Sequence, residues 1–248
     1  MYKYILLILL LGIYQSMYAF EEGYSDNNGV KIYYRDYGPV DADPIILVQG
    51  LGGQLTQWPD NLINLLKDNN FRPIVYDNRD IGLSTKFQGA PNYTTDYVKY
   101  VFRLPLKSEY SIDDMGLDGI SVLDALNIKS AHLLGMSMGG MIAQIIAANH
   151  PERVKSFTLI ASTAATPSPF NSPTREVRNL ILDRSITKNA SYEDRYQRAV
   201  ELIKVIGMEG YEFDTPEFKE QAIENMKRSK DDTGFSRQLL AILASKNR

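Results

Sequence analysis

Hydrophobic and polar positions change period repeatedly between residues 21 and 160, which predicts strands and helices in alternation. Apolar or β-branched runs indicate strands at 24–25, 30–37, 45–48, 72–76, 131–134 and 154–160. The Asn-Gly pair at 28–29 predicts that the first two strands form a hairpin. Helical spacing of apolar residues indicates helices at 59–69, after Ser111 and up to Asn149. This alternation predicts an α/β fold with a doubly wound, mostly parallel sheet.

The pattern changes after residue 161. Residues 166–173 contain three prolines and indicate a crossing linker, and only helical patterns follow. Helix starts are indicated by Ser172-Pro173, by Ser191 with Asp194 and by Thr215-Pro216, and a fourth helix is predicted from about Gly234 to Ser245. We therefore predict a core at 21–165 and a helical cap or lid at 166–248. Residues 84–110 carry little pattern, which favours an excursion over the surface.

Residues 1–20 have the layout of a secretory signal peptide. Lys3 is followed by an apolar block at 5–13, and no further charge occurs before Glu21. Ala19 fits as the last residue before cleavage. The uncharged run at 4–20 is short for a membrane span, so we expect export to the periplasm or the exterior with cleavage. Membrane association through an uncleaved 4–20 anchor is the alternative.

Composition excludes several classes of function. A net charge of −3 gives no support for nucleic-acid binding, and the absence of cysteine excludes a thiol nucleophile and Cys-ligated metals. The glycine-rich loop at 49–54 matches neither phosphate-binding motif, and no ligand cluster indicates a metal. We therefore expect neither cofactor nor metal.

The residues Gly135-Met136-Ser137-Met138-Gly139 stand between a predicted strand and a predicted helix. G-x-S-x-G in this context is the nucleophile elbow, a sharp turn that exposes the serine hydroxyl at a helix N-terminus. Small residues on both sides allow the strand and the helix to approach closely. Ser137 is therefore the candidate nucleophile.

Four segments carry a resemblance to a known family. They are Leu47-Val48-Gln49-Gly50-Leu51-Gly52-Gly53, Asp77-Asn78-Arg79-Asp80-Ile81-Gly82-Leu83-Ser84, the elbow with its continuation to Gln144, and His150-Pro151-Glu152-Arg153-Val154. In this order and spacing they resemble the α/β-hydrolase superfamily, in its branch that contains aclacinomycin methylesterase and related serine esterases. The likeness covers roughly residues 23–175 closely and the helical cap loosely.

The resemblance implies an attack of Ser137 on the carbonyl of a small-molecule ester, with an acyl-enzyme intermediate. It implies an oxyanion hole made by the N–H groups of Leu51 and Met138. Gln49 stands where many relatives have histidine. For residues 77–84 we favour a structural role, as an Asx-type turn beside the site.

The base that this chemistry needs is missing from the sequence pattern. In this fold the order is serine, acid, histidine. His132 precedes Ser137 by five residues in one strand, about 16 Å, and His150 follows after a helix, about 20 Å away. A base must come within about 3 Å. We therefore expect a C-terminally shortened chain without the last strands of the sheet and with an exposed edge at the sixth strand.

Two further functions stay open from the sequence. A proline-iminopeptidase-like aminopeptidase shares the elbow and a helical cap. A non-catalytic binding protein, or an inactive truncated product, would keep the fold without the chemistry.

Overall fold

A six-stranded sheet is the centre of the protein. The computed structural model describes residues 20–245 except 90, 166, 169–172, 183–189, 208–209, 211, 213 and 230–232, so the predicted leader lies outside the described residues except for Phe20. The strands are β1 (Glu21–Asn27), β2 (Val30–Asp36), β3 (Asp43–Val48), β4 (Phe71–Tyr76), β5 (Ala131–Met136) and β6 (Val154–Ile160). They lie in the order β1-β2-β4-β3-β5-β6. β1, β2 and β4 pair antiparallel, whereas β4, β3, β5 and β6 are parallel.

Helices connect and follow the strands. The described helices are α1 (Asp60–Asp68), α2 (Tyr93–Val101), α3 (Ile112–Ala125), α4 (Met138–Asn149), α5 (Arg175–Leu182), α6 (Tyr192–Ile206), α7 (Pro216–Arg228) and α8 (Gly234–Ala244). Within the described ranges, none of them is both long enough and apolar enough to cross a bilayer.

Both faces of the sheet are covered, which confirms the predicted doubly wound architecture. One face packs against α3 and α4 and forms the larger core, which includes Ile46, Ile74 and Ile142. The other face packs against α1 and the short turn before it, through Leu55, Trp58 and Ile63. Apolar burial on two faces explains why the strands in the middle of the sheet are apolar runs rather than alternating ones.

Local signals in the sequence set several element boundaries correctly. Asn28 and Gly29 both have positive φ in the hairpin, as a type I′ turn requires. Reciprocal capping boxes open α3 at Ser111 and α6 at Ser191, and Thr215 caps α7 ahead of Pro216.

Helix α2 was missed by the sequence interpretation of residues 84–110. Its nine residues are rich in tyrosine, threonine and valine, which are weak helix formers. The side chain of Asn92 caps its start by accepting a hydrogen bond from Thr95 N–H. The segment is an excursion over the surface, but an ordered helix forms part of it.

The loops that carry the sequence motifs all lie at the carboxyl ends of the central parallel strands. β3, β4 and β5 are parallel, so residues 49–54, 77–84 and the elbow all follow the carboxyl ends of adjacent strands. In open α/β sheets ligands bind at these ends of the strands.

Candidate active site

Ser137 joins β5 to α4 in a strained backbone conformation. Its φ is 52° and its ψ is −117°, a region that L residues rarely occupy. The serine is the N-cap residue of α4, yet its side chain makes no capping hydrogen bond. The hydroxyl therefore stays available at the helix N-terminus, where developing negative charge is favoured.

Glycines on either side of Ser137 allow backbones to approach without a Cβ between them. A Cβ at Gly139 would lie 2.0 Å from the carbonyl oxygen of Val48, and one at Gly135 would lie 2.4 Å from the carbonyl oxygen of Gly139. Both distances are impossible for real atoms. The glycines of the motif thus hold β5, α4 and the end of β3 together around the serine.

The loop after β3 places an N–H group beside the elbow. Gly53 N–H donates to the Gly50 carbonyl at 3.1 Å, and Gly52 has a φ of +73°, the pattern of a type II turn. The Cα of Gly50 lies so close to the elbow that a Cβ there would be 3.3 Å from the Ser137 Cβ. Among the described residues, the N–H of Leu51 has no acceptor, whereas that of Gly52 donates to Gln238.

Met138 supplies the second N–H group at this point. It is the first residue of α4, and the N–H groups in the first turn of a helix have no carbonyl partner within that helix. Val48 and Gly135 are paired in the adjacent parallel strands β3 and β5. Leu51 and Met138 each come three residues later, so both lie just beyond the carboxyl ends of these neighbouring strands. The structure therefore brings together the three residues singled out from the sequence.

Ser162, a residue that the sequence interpretation missed, holds the elbow from the loop after β6. Its hydroxyl donates to the Ser137 carbonyl at 2.8 Å, and the Ser137 N–H donates to the Ile160 carbonyl at 2.8 Å. The available signal was its place directly after the strand that neighbours β5. These bonds tie the elbow to β6.

Asp77 binds the loops together as the predicted polar turn. Its carboxylate accepts hydrogen bonds from the N–H groups of Leu55 and Leu83, each at 2.9 Å. The same carboxylate forms an ion pair with Arg228 of α7 at 2.7 Å. Arg228 also donates to the Gln54 side chain at 2.8 Å. Asp77 therefore links the loop after β3 to α7.

Two more buried ion pairs extend this network. Arg79 makes a bidentate pair with Asp118 of α3 at 2.6 and 2.7 Å. Burial alone would lower the pKa of Arg79, but hydrogen bonds and charge from Asp118 raise it overall. Asp80 makes a bidentate pair with Arg237 of α8 at 2.9 and 2.8 Å. Sequence periodicity gave no indication of either partner.

Both histidines contact polar partners other than Ser137. His132 bonds Ser156 at 2.7 Å and Asp43 at 3.1 Å, at the opposite end of β5. His150 ends α4 and lies 3.9 Å from Glu152. Each has the structural place expected from the sequence, and the described residues bring no imidazole to the serine.

The elbow brings together one hydroxyl and several backbone groups. In the part of the chain that the structure describes, no three His, Asp or Glu side chains are grouped as metal ligands. The features that converge are a strained serine, two N–H groups without helical or turn partners, and a helix N-terminus.

Comparison with known proteins agrees with this geometry. A family model described as "alpha/beta hydrolase fold" matches residues 43–201, more than half of the chain. A rhodomycin D methylesterase of Streptomyces sp. (strain C5) is 28% identical over 200 residues, covering 75% of this chain and 61% of the relative. A rhodomycin D methylesterase of Streptomyces peucetius is 27% identical over 213 residues, covering 79% and 66%. The chain thus spans less than two thirds of the length of either relative.

Solved structures show the same fold. A carboxylesterase structure from Nitrososphaera gargenis superposes with a TM-score of 0.63 at 21% identity, covering 92% of this chain and 73% of that one. The enol-lactonase from Burkholderia xenovorans LB400 gives a TM-score of 0.58 at 22% identity, covering 90% and 74%. With the family match, the sheet order and the strained serine, these similarities establish that the chain belongs to the α/β-hydrolase family.

Proposed function

We propose that this protein is a serine hydrolase that cleaves the carboxylic ester of a small molecule through an acyl-enzyme on Ser137. The observation that carries the proposal is the backbone of Ser137, with a positive φ at the junction of β5 and α4. Strain of this kind persists only where the surrounding structure enforces it, and it is concentrated at functional sites.

The proposed reaction uses the groups that converge at the elbow. The Ser137 hydroxyl attacks the ester carbonyl, and the oxyanion that forms accepts hydrogen bonds from Leu51 N–H and Met138 N–H. Collapse of the tetrahedral intermediate breaks the bond to the leaving oxygen, which departs as the alcohol with the proton that the Ser137 hydroxyl gave up, and the acyl group stays on Ser137. Water then attacks the acyl-enzyme and releases the acid.

Names of similar proteins support the substrate class. They include a methylesterase, a carbamate hydrolase from Variovorax paradoxus and a 3-oxoadipate enol-lactonase from Acinetobacter baylyi. Esters, carbamates and enol-lactones share a carbonyl carbon bonded to a heteroatom that leaves. We propose the ester for this chain because the two methylesterases match 75% and 79% of it, against 61% for the carbamate hydrolase and 55% for the enol-lactonase.

A second candidate is a binding protein that keeps this fold without its chemistry. The observation that favours it is the commitment of His132 to Asp43 and Ser156, which leaves Ser137 without a base among the described residues. Where triad members are removed, only about 10³–10⁴-fold acceleration over water remains, from the oxyanion hole and binding.

Labelling with a fluorophosphonate probe separates the two candidates. We expect the purified full chain to be labelled and to hydrolyse an aryl acetate, and Ser137→Ala to lose both activities. Ser156→Ala is the matched control, because its hydroxyl bonds His132 at the other end of the sheet. An unlabelled but folded wild-type protein, checked by circular dichroism, would contradict the hydrolase and support the binding protein.

We also propose that the chain is exported by residues 1–20. The support is the sequence layout of a short basic start, an apolar block and a small residue at Ala19. Mass spectrometry of the protein recovered from an expressing bacterium is expected to show a mature N-terminus at Phe20. An intact Met1 in the membrane fraction would favour the uncleaved anchor, and an intact Met1 in the cytosol would contradict export.

A further inference from the structure

An apolar patch lies exposed on α2 and the turn that follows it. Tyr97, Val98, Val101 and Phe102 recur at the i, i+1, i+4 and i+5 spacing of one helix face. Phe102 is 71% exposed and Leu104 is 54% exposed. We call this set of five residues the 97–104 patch. Large apolar side chains clustered on a surface mark an interaction site more often than single exposed ones do.

The patch is held in an ordered projection. Leu104 N–H donates to the Lys99 carbonyl at 2.8 Å and Arg103 N–H donates to the Tyr100 carbonyl at 3.1 Å. Arg103 has a φ of +55°, so the helix ends in a Schellman motif. This motif turns the chain back, so that the Leu104 backbone lies against the last turn of the helix.

The base of the projection is pinned to the body of the protein. The rings of Phe87 and Tyr110 pack with their centroids 5.1 Å apart, at the two ends of the excursion. Arg79 lies over both rings, and Arg237 donates to the Gly89 carbonyl at 2.6 Å. The stem is therefore fixed while the apolar tip points away from the core.

Basic residues are interspersed with the patch along a chain that is acidic as a whole. Residues 93–107 contain Lys99, Arg103 and Lys107 against the single acid Asp96, whereas the complete chain has a net charge of −3. Tyrosine and phenylalanine next to lysine and arginine are the composition of segments that lie in a membrane interface, with the aliphatic stems along the acyl chains and the charges at the headgroups.

We propose that the 97–104 patch docks on an anionic lipid surface. Apolar side chains enter the interface, and Lys99 and Lys107 contact acidic headgroups, which attract basic residues over about a Debye length. α2 belongs to the connection that leaves the carboxyl end of β4, the sheet edge that also carries Ser137.

A local probe tests the proposal in the full chain, independently of residues 1–20. The protein has no cysteine, so Leu104→Cys accepts a single environment-sensitive NBD dye, and Val40→Cys gives the matched control. Val40 is 74% exposed, but it lies just before the amino-terminal end of β3, at the opposite end of the strands from Ser137. The vesicles are phosphatidylcholine alone or with phosphatidylglycerol, and a nitroxide lipid serves as the depth quencher.

We expect dye at position 104 to shift to shorter wavelength and to be quenched only with phosphatidylglycerol vesicles, while dye at position 40 stays unchanged. Adding Phe102→Asp should abolish the shift, whereas Leu65→Asp on α1 should leave it. Raising the salt concentration should weaken it. An unchanged dye at 104, an equal response at 40, or a dye already shifted without lipid would overturn the proposal, the last result showing that protein covers the patch.

Discussion

Ser137 shows how a single residue can be held against its own conformational preference. A non-glycine residue with φ near +50° and ψ near −117° costs on the order of 1–3 kcal/mol. The bonds from Ser162 Oγ and to the Ile160 carbonyl, together with close packing at Gly139, hold it there. The neighbours therefore enforce the geometry that presents the hydroxyl.

Replacing Ser137 by glycine and by alanine should separate strain from chemistry. We expect Ser137→Gly to be more stable than Ser137→Ala by about 1 kcal/mol, because glycine removes strain of 1–3 kcal/mol at an entropic cost of about 0.5–1 kcal/mol. Urea unfolding of the two variants measures the difference, and both should resist fluorophosphonate labelling. Equal midpoints would show that the elbow is not strained.

At the scale of elements, two helices of the C-terminal part clamp the loop beside the serine. α7 holds residues 54–56 through Asn225 and Arg228, and α8 holds Gly52 through Gln238. The Gln238 amide also donates to the Arg79 carbonyl at 2.8 Å. The loop that carries Leu51 is thus positioned by helices almost two hundred residues later in the chain.

The Asp80–Arg237 pair is the buried link in this clamp. Arg237→Met should destabilise the protein by about 3–5 kcal/mol, because it leaves a buried carboxylate without its cation. The double variant Asp80→Asn/Arg237→Met should lose less than the sum of the two single losses.

An exposed pair gives the reference for that measurement. Lys31 and Asp26 lie 2.6 Å apart on the surface, and Lys31→Met should lower the free energy of unfolding far less than Arg237→Met does, because solvent screens an exposed pair. Guanidinium unfolding of all four variants gives the comparison. A loss for Arg237→Met no larger than that for Lys31→Met would show that α8 is not anchored by this pair.

At the scale of the whole molecule, the sheet is covered unevenly. Most side chains of β3 and β4 are buried, whereas those of β6 are exposed along most of the strand, including Phe157, Leu159 and Ile160. β6 is the last strand on this side of the described sheet. An apolar edge strand with unpaired backbone groups promotes association with other chains.

A charge on β6 should therefore improve solubility. Phe157→Lys is expected to lower light scattering at high protein concentration, because a lysine on an edge strand opposes strand pairing. Val40→Lys adds the same charge on an exposed loop and should have a smaller effect. Scattering that falls equally in both variants would assign the effect to net charge and not to the edge.

Several elements could be predicted because their signals are local. β6 was predicted with its observed ends, and the capping pairs at Ser111 and Ser191 open helices where expected. Helix α2 was missed because its residues have weak helix propensity and its apolar face is not buried in the core.

The sequence by itself determined the alternation of strands and helices, the elbow at Ser137 and the separation of both histidines from it along the chain. Each of these depends on residues that are close together in the sequence. Only the tertiary structure decided which polar groups meet: Arg237 pairs with Asp80 across 157 positions, and Ser162 supports the elbow from the loop that follows the neighbouring strand. Such pairs depend on burial, because a charge that the fold removes from water is costly unless an oppositely charged group lies next to it. The hydrophobic periodicity of the sequence does not indicate which distant residues will be paired in this way.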